Sequence, residues 1–277
     1  MIKIYPNNNR AVDAALIAIF ASLSVIHATR ANDVTQQVIP IVAQIQHADY
    51  AGDRAAMQKG YEDLAPFLED KELASRIRYW RGFAQWRRAI NGFNDSVDPK
   101  EQEKDLNTAL NEFKIALEKD PKFVDAKLAI MSCNGLLLFA EPKDEARRKE
   151  RIDRILALEK EATAMAPDNP RLIWVRGPIL WNTPPERGGG EDKAMQNFEH
   201  GLEICSKLKP SGDPLEPSWG KPELLMNLAY GHLNAKAKPD LDAAERYARN
   251  ALEIVPYWHY VRDILLPQIL AAKAKTQ

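Results

Sequence analysis

Cysteine, glycine and net charge are all scarce in this chain, and each shortage removes a class of explanation. Two cysteines in 277 residues cannot build a disulfide framework. Cys133 falls in one helical stretch and Cys205 at the end of another, a repeat apart, so both read as small buried hydrophobes rather than a bridge. With a formal net charge of -1 there is no basic field to gather nucleic acid, and no short basic run makes a local patch. His47, His200, His232 and His259 lack metal-ligand spacing, so neither a metal nor a cofactor is expected. The chain has no Gly-x-Ser-x-Gly turn and no converging nucleophile and base, which argues against an enzyme. Glycine amounts to only 13 residues, three of them together at 188–190.

Long apolar runs are missing too. The longest, Ala14 to Ile26, has 13 residues, short of the roughly 20 that a spanning helix needs. Lys3 and Arg10 precede it and Thr29-Arg30-Ala31 follows, the order of a secretory signal over residues 1–31. Cleavage after Ala28 or after Ala31 fits; a buried first helix or a retained anchor is the alternative. Removal to Ala31 takes Lys3, Arg10, Arg30 and Asp13, leaving 35 basic against 38 acidic residues and a net charge of -3. No cysteine lies near the cleavage region, so a lipidated terminus is not expected. The expectation is an exported protein, periplasmic or secreted, with one domain over 32–277.

What is abundant favours helix. Alanine, leucine, glutamate and lysine dominate, and a 45% hydrophobic, 28% charged composition is that of a folded chain. The clearest pattern is Ala109, Phe113, Ala116 and Pro121, where two small residues admit a neighbouring helix, a ring fills the gap and proline ends the helix. The spacing recurs as Ala162 and Pro167, as Ala194, Phe198 and Gly201, and as Ala244, Ala248, Ala251 and Pro256. Each set is preceded by another helical stretch, with Gly82 and Gly177 at small positions. Five helix pairs result, followed by a final helix from Tyr257 to Lys273 that covers the open end. The equivalent positions Leu64, Ala116, Ala162, Gly201 and Ala251 lie 52, 46, 39 and 50 residues apart. That exceeds the ~34 of an ideal unit, and the extra residues are expected in turns between first and second helices.

These four sets, over about residues 72 to 256, resemble the tetratricopeptide repeat superfamily. The resemblance implies an all-α, right-handed α-solenoid of about five antiparallel helix pairs with a capping helix. It also implies a concave groove lined mainly by first helices, which takes peptides or protein segments without catalysis. Groove-facing offsets then bring forward Arg76, Tyr79, Phe83, Trp86 and Arg87 of the second pair, Arg171, Trp174 and Trp181 of the fourth, and Met226, Asn227 and Tyr230 of the fifth. Aromatic and arginine side chains carry most interface energy; rings such as Trp80 and Trp174 could instead pack against the adjacent repeat. The leading expectation is a scaffold holding a protein segment in this groove. The alternative is a periplasmic binder of small organic molecules acting beside a transporter, which a closed apolar cavity would favour. The Thr183 to Lys193 loop looks like a proline-then-glycine turn of exported bacterial repeat proteins. Its glycines could cradle an anion with Arg187 and Lys193, or simply make a tight turn.

Overall fold

The computed structural model describes residues 33–140, 144–209, 211–237 and 239–276, and the expected signal over 1–31 lies outside them. Among the described residues the chain is helical, without strands. The helices are α1 (residues 33–51), α2 (Arg54–Asp63), α3 (Ala74–Asn94), α4 (Pro99–Lys119), α5 (Val124–Ala140), α6 (Glu145–Met165), α7 (Pro170–Asn182), α8 (Glu191–Lys207), α9 (Lys221–Asn234), α10 (Leu241–Ile254) and α11 (Leu266–Thr276). Consecutive helices pair antiparallel as a right-handed solenoid of five pairs, and α11, entered through a wide π-type turn at Tyr260–Leu265, caps it.

Local chemistry sets the helix starts. Asp53, Asp98, Asp144, Asn169 and Asp240 each accept a hydrogen bond from a backbone N–H of the first turn. Pro99 and Pro170 take the first helical position, where no N–H is required. At the other ends, α4, α6 and α10 stop one residue before Pro121, Pro167 and Pro256 would have to continue them.

The repeat pattern is the packing pattern. Ala109, Phe113 and Ala116 are fully buried, and burying one such ring contributes roughly 1.5–3 kcal/mol. Phe113 lies where Gly82 of α3 has no side chain; a methyl built there would stand 2.7 Å from the ring. Gly177 and Phe198 repeat the fit between α7 and α8.

The surplus residues are not where the spacing placed them. The expected polar turn from Gly92 to Gln102 is only residues 95–98, because α3 and α4 each extend to 21 residues, as does α6. The rest of the surplus lies between pairs, at 64–73 and above all at 208–220. The stack also curls until its ends meet: His47 of α1 stacks on Tyr257 at 4.5 Å, and Tyr50 meets Trp258 edge-on at 5.1 Å.

Candidate binding pocket in the concave groove

The long connection 208–220 determines what the groove can do, because it folds back into it. The Trp80 indole N–H donates to the Leu215 carbonyl at 2.9 Å, and the Trp219 indole N–H donates to the Tyr79 hydroxyl at 3.1 Å. Arg76 pairs with Asp213 and, at 2.8 Å, with Glu216. Arg171 pairs with Asp125 and donates to the Trp219 carbonyl at 3.2 Å. The Trp219 ring lies 5.6 Å from that of Trp86, 5.4 Å from Trp174 and 6.3 Å from Phe83. Leu215 and Trp219 are buried by this docking.

The eleven residues expected to line one groove therefore separate into two sets. Tyr79, Phe83 and Trp86 are almost fully buried, in contact with each other, Phe113, Phe123 or Trp219. Arg76 and Arg171 are engaged by the docked segment. For these five the expectation of an open surface is corrected: the chain's own residues 213–219 cover them. The remaining six, Arg87, Trp174, Trp181, Met226, Asn227 and Tyr230, line one pocket of about 410 Å³.

Four helices and the entry to the cap build that pocket. Ile90, Asn91, Phe93 and Asn94 join Arg87 from α3; Pro178 and Asn182 join Trp174 and Trp181 from α7; α8 gives Phe198. Trp258 and Tyr260 close it from beyond Pro256. Sequence reasoning missed these last two, although an aromatic run, Tyr257-Trp258-His259-Tyr260, immediately after the stop proline was a visible signal. Pro178 sits inside α7 and cannot donate to the Trp174 carbonyl four residues back. Trp181 and Tyr230 face one another edge-on at 6.4 Å near the mouth, where Tyr230 is 45% and Phe93 50% exposed.

Charge at the pocket wall is internally balanced. Arg87 donates from Nε to Asp49 at 2.7 Å and lies 3.9 Å from Glu223, all three buried. Glu223 in turn accepts from the Tyr50 hydroxyl at 2.8 Å and from the Gly220 N–H at 2.7 Å, and Asn91 donates to Asp49 at 3.0 Å. Burial opposes the Arg87 charge, yet Asp49 and Glu223 outweigh it and hold the guanidinium above its ordinary value. Burial raises the Glu223 carboxyl despite Arg87. The Tyr260 phenol is pushed up to about 12, by burial first and by Tyr230 second. Two buried donors on the lining residues, Trp174 Nε1 and Asn227 Nδ2, have no hydrogen-bond partner among the described residues.

The glycine loop is a tight turn. Its amides are already used: Gly188 N–H donates to Pro185, Gly189 to Pro184 and Gly190 to Leu180, at 2.9 to 3.2 Å. Gly188 and Gly190 have φ of 86° and 106°, and a side chain on Gly189 would run into the Thr183 carbonyl. Among the described residues no group of three or more His, Cys, Asp or Glu could hold a metal ion, and no helix is long and apolar enough to cross a membrane. Cys133 and Cys205 are both free thiols.

No protein-family model matches the chain, and no curated protein is significantly similar to it. Solved structures do match. The HusA haemophore from Porphyromonas gingivalis superposes with a TM-score of 0.55 at 16% identity, over 71% of this chain and 92% of its own. A thermophilic tetratricopeptide repeat protein from Thermus thermophilus gives 0.53 at 18% identity, over 85% of this chain and 99% of its own. At such identities the likeness is one of fold, and the chain has a tetratricopeptide-like helical repeat fold.

Proposed function

We propose that this chain is an exported, non-catalytic binding protein whose ligand, a small organic molecule, sits in the aromatic pocket between α3, α7 and α9. One observation carries the reading. The segment 213–219 occupies the part of the groove along which an extended peptide would run, and what it leaves is a bounded pocket of about 410 Å³. Small-molecule sites fall at roughly 300–1,000 Å³, with apolar walls and a few polar groups. The walls here carry Phe93, Trp174, Trp181, Phe198, Tyr230, Trp258 and Tyr260, with asparagines between them. One structural neighbour is a haemophore by name, which supports a small-molecule ligand for this fold without choosing which one.

A second reading rests on the mouth. Phe93 and Tyr230 are half-exposed apolar surface beside the pocket, as in an interface where a partner's side chain inserts. The protein segment would then be gripped by one anchor rather than laid along the groove.

Native mass spectrometry of the mature protein from its own envelope fraction tests both. A small compound released on denaturation, and missing from a Trp181→Ala variant, is the expected result. Recovery of a polypeptide alone, lost in Tyr230→Ala, would establish the second reading. Ligand retention equal in both variants and in wild type would place the site elsewhere.

A further inference from the structure

We infer that the pocket selects an uncharged, flat aromatic compound that presents a hydrogen-bond acceptor, an inference that rests on the small-molecule reading above. Three features of the lining lead there.

The first is charge. Arg87 is the single charged residue among those that line the pocket, and it is already committed to Asp49 and Glu223 behind it. An anion would find a guanidinium whose charge is balanced by two carboxylates, and it would lose its hydration without a free counter-charge. A cation would meet Arg87 first, since Asp49 and Glu223 do not reach the pocket surface. The ring that a cation would seek is also taken: the Arg87 guanidinium lies 5.9 Å from the centre of Trp174. Neither sign of ligand charge is served.

The second is shape. Trp174 is held edge-on against Trp86 at 6.0 Å and Trp219 at 5.4 Å, so its position is fixed by the docked segment before any ligand arrives. Trp181 and Tyr230 stand at 63° to one another on the opposite side. Rings preset at such angles favour a flat guest that meets them by stacking or edge contact.

The third is hydrogen bonding. Trp174 Nε1 and Asn227 Nδ2 are both donors, both buried and both unpartnered among the described residues, and Trp174 is only 8% exposed. Unpaired buried N–H groups are costly, and a ligand acceptor that satisfies one gains that cost back as affinity. An N–H on the ligand would gain nothing from either.

Fluorescence titration of the full chain separates this inference from the reading beneath it. The probes are 7-methoxycoumarin, which is neutral and carries a carbonyl; 7-methoxycoumarin-3-carboxylate, the same rings with a negative charge; and 2-methylnaphthalene, which lacks an acceptor. The expected order is the neutral coumarin tightest, with each of the others at least tenfold weaker. Tyr230→Ala, at a half-exposed position that leaves the fold intact, weakens the coumarin tenfold or more, and Trp174→Phe brings it to the level of the naphthalene. If the carboxylate binds as tightly as the neutral coumarin, or the naphthalene does, the inferred ligand class is overturned while the small-molecule reading stands. Binding of none of the three, or identical binding to wild type and to both Tyr230→Ala and Trp181→Ala, overturns both.

Discussion

The Trp219 indole N–H donates to the Tyr79 hydroxyl at 3.1 Å, joining residues 140 positions apart in the middle of the stack. In a repeat solenoid most contacts are between neighbouring units, and this one is between a connection near the end and a first helix near the start. Trp219 is packed against Trp174, and Trp174 lines the pocket, so the long-range contact and the candidate site share a wall. The segment that closes part of the groove also shapes what remains open.

Removing the Trp219 ring tests that dependence. Trp219→Ala leaves a cavity among Tyr79, Phe83, Trp86 and Trp174, and should lower unfolding stability by about 3–5 kcal/mol. Trp219→Phe keeps most of the volume and loses the donor to Tyr79, for a smaller loss of about 1–2 kcal/mol. Urea unfolding measures both. Equal, near-zero effects would mean that the segment is not held as described.

Acid should loosen the docked segment before it unfolds the stack. Burial acts to raise the Asp213 carboxyl, but the Leu215 N–H and the Arg76 guanidinium outweigh it and hold the group below its ordinary value. A depressed carboxyl contributes stability above the unfolded value of about 3.9, and that stability is lost as pH falls through the lower folded value. Tryptophan emission should therefore shift red below about pH 4 at constant far-UV ellipticity. Asp213→Asn should show the shifted spectrum already at neutral pH and lose the acid step.

The sequence carried the scaffold far better than the site. Small residues, rings and stop prolines, as at Ala109, Phe113, Ala116 and Pro121, report local packing, and local packing is what makes helix pairs. Six of the pocket residues were also legible, because Arg87, Trp174, Trp181, Met226, Asn227 and Tyr230 follow from helical offsets once the pairs are known. The docked segment was not. Pro210, Pro214 and Pro217 mark residues 208–220 as a connection, but periodicity gives no direction to a connection, and nothing local tells Trp219 to turn inward. The curl that brings Trp258 and Tyr260 to the pocket accumulates over five pairs and is set by interhelix angles no single window contains.

The buried ion cluster should respond asymmetrically to mutation. Arg87→Met leaves Asp49 and Glu223 facing one another without a cation, a loss of about 3–5 kcal/mol. Glu223→Gln keeps the hydrogen-bond geometry to Tyr50 and Gly220 and should cost less than half as much. Because burial raises the Glu223 carboxyl above its unfolded value, its contribution is complete below about pH 4.3 and is lost as pH rises through the folded value. Thermal melts from pH 4 to 8 should show wild type losing stability relative to Glu223→Gln across that interval, the opposite sign to Asp213.

Three glycine-to-alanine changes separate close approach from backbone freedom. At Gly177 the added methyl would overlap the Phe198 ring, which is wedged between α7 and α8, and overpacking of that kind costs about 1–3 kcal/mol. At Gly231 the methyl would meet the Met195 sulfur, the far end of a flexible chain that can swing aside, so the loss should be smaller. At Gly135, inside α5, nothing lies within 4 Å, and alanine only restricts the unfolded chain, stabilising by about 0.4–1 kcal/mol. Chemical denaturation of the three variants should rank them Gly135 above wild type, then Gly231, then Gly177. The reverse order for the last two would mean that α7 can move away from α8 more easily than Met195 can change rotamer, and the pocket wall carried by Trp174 and Trp181 would then be adjustable rather than fixed.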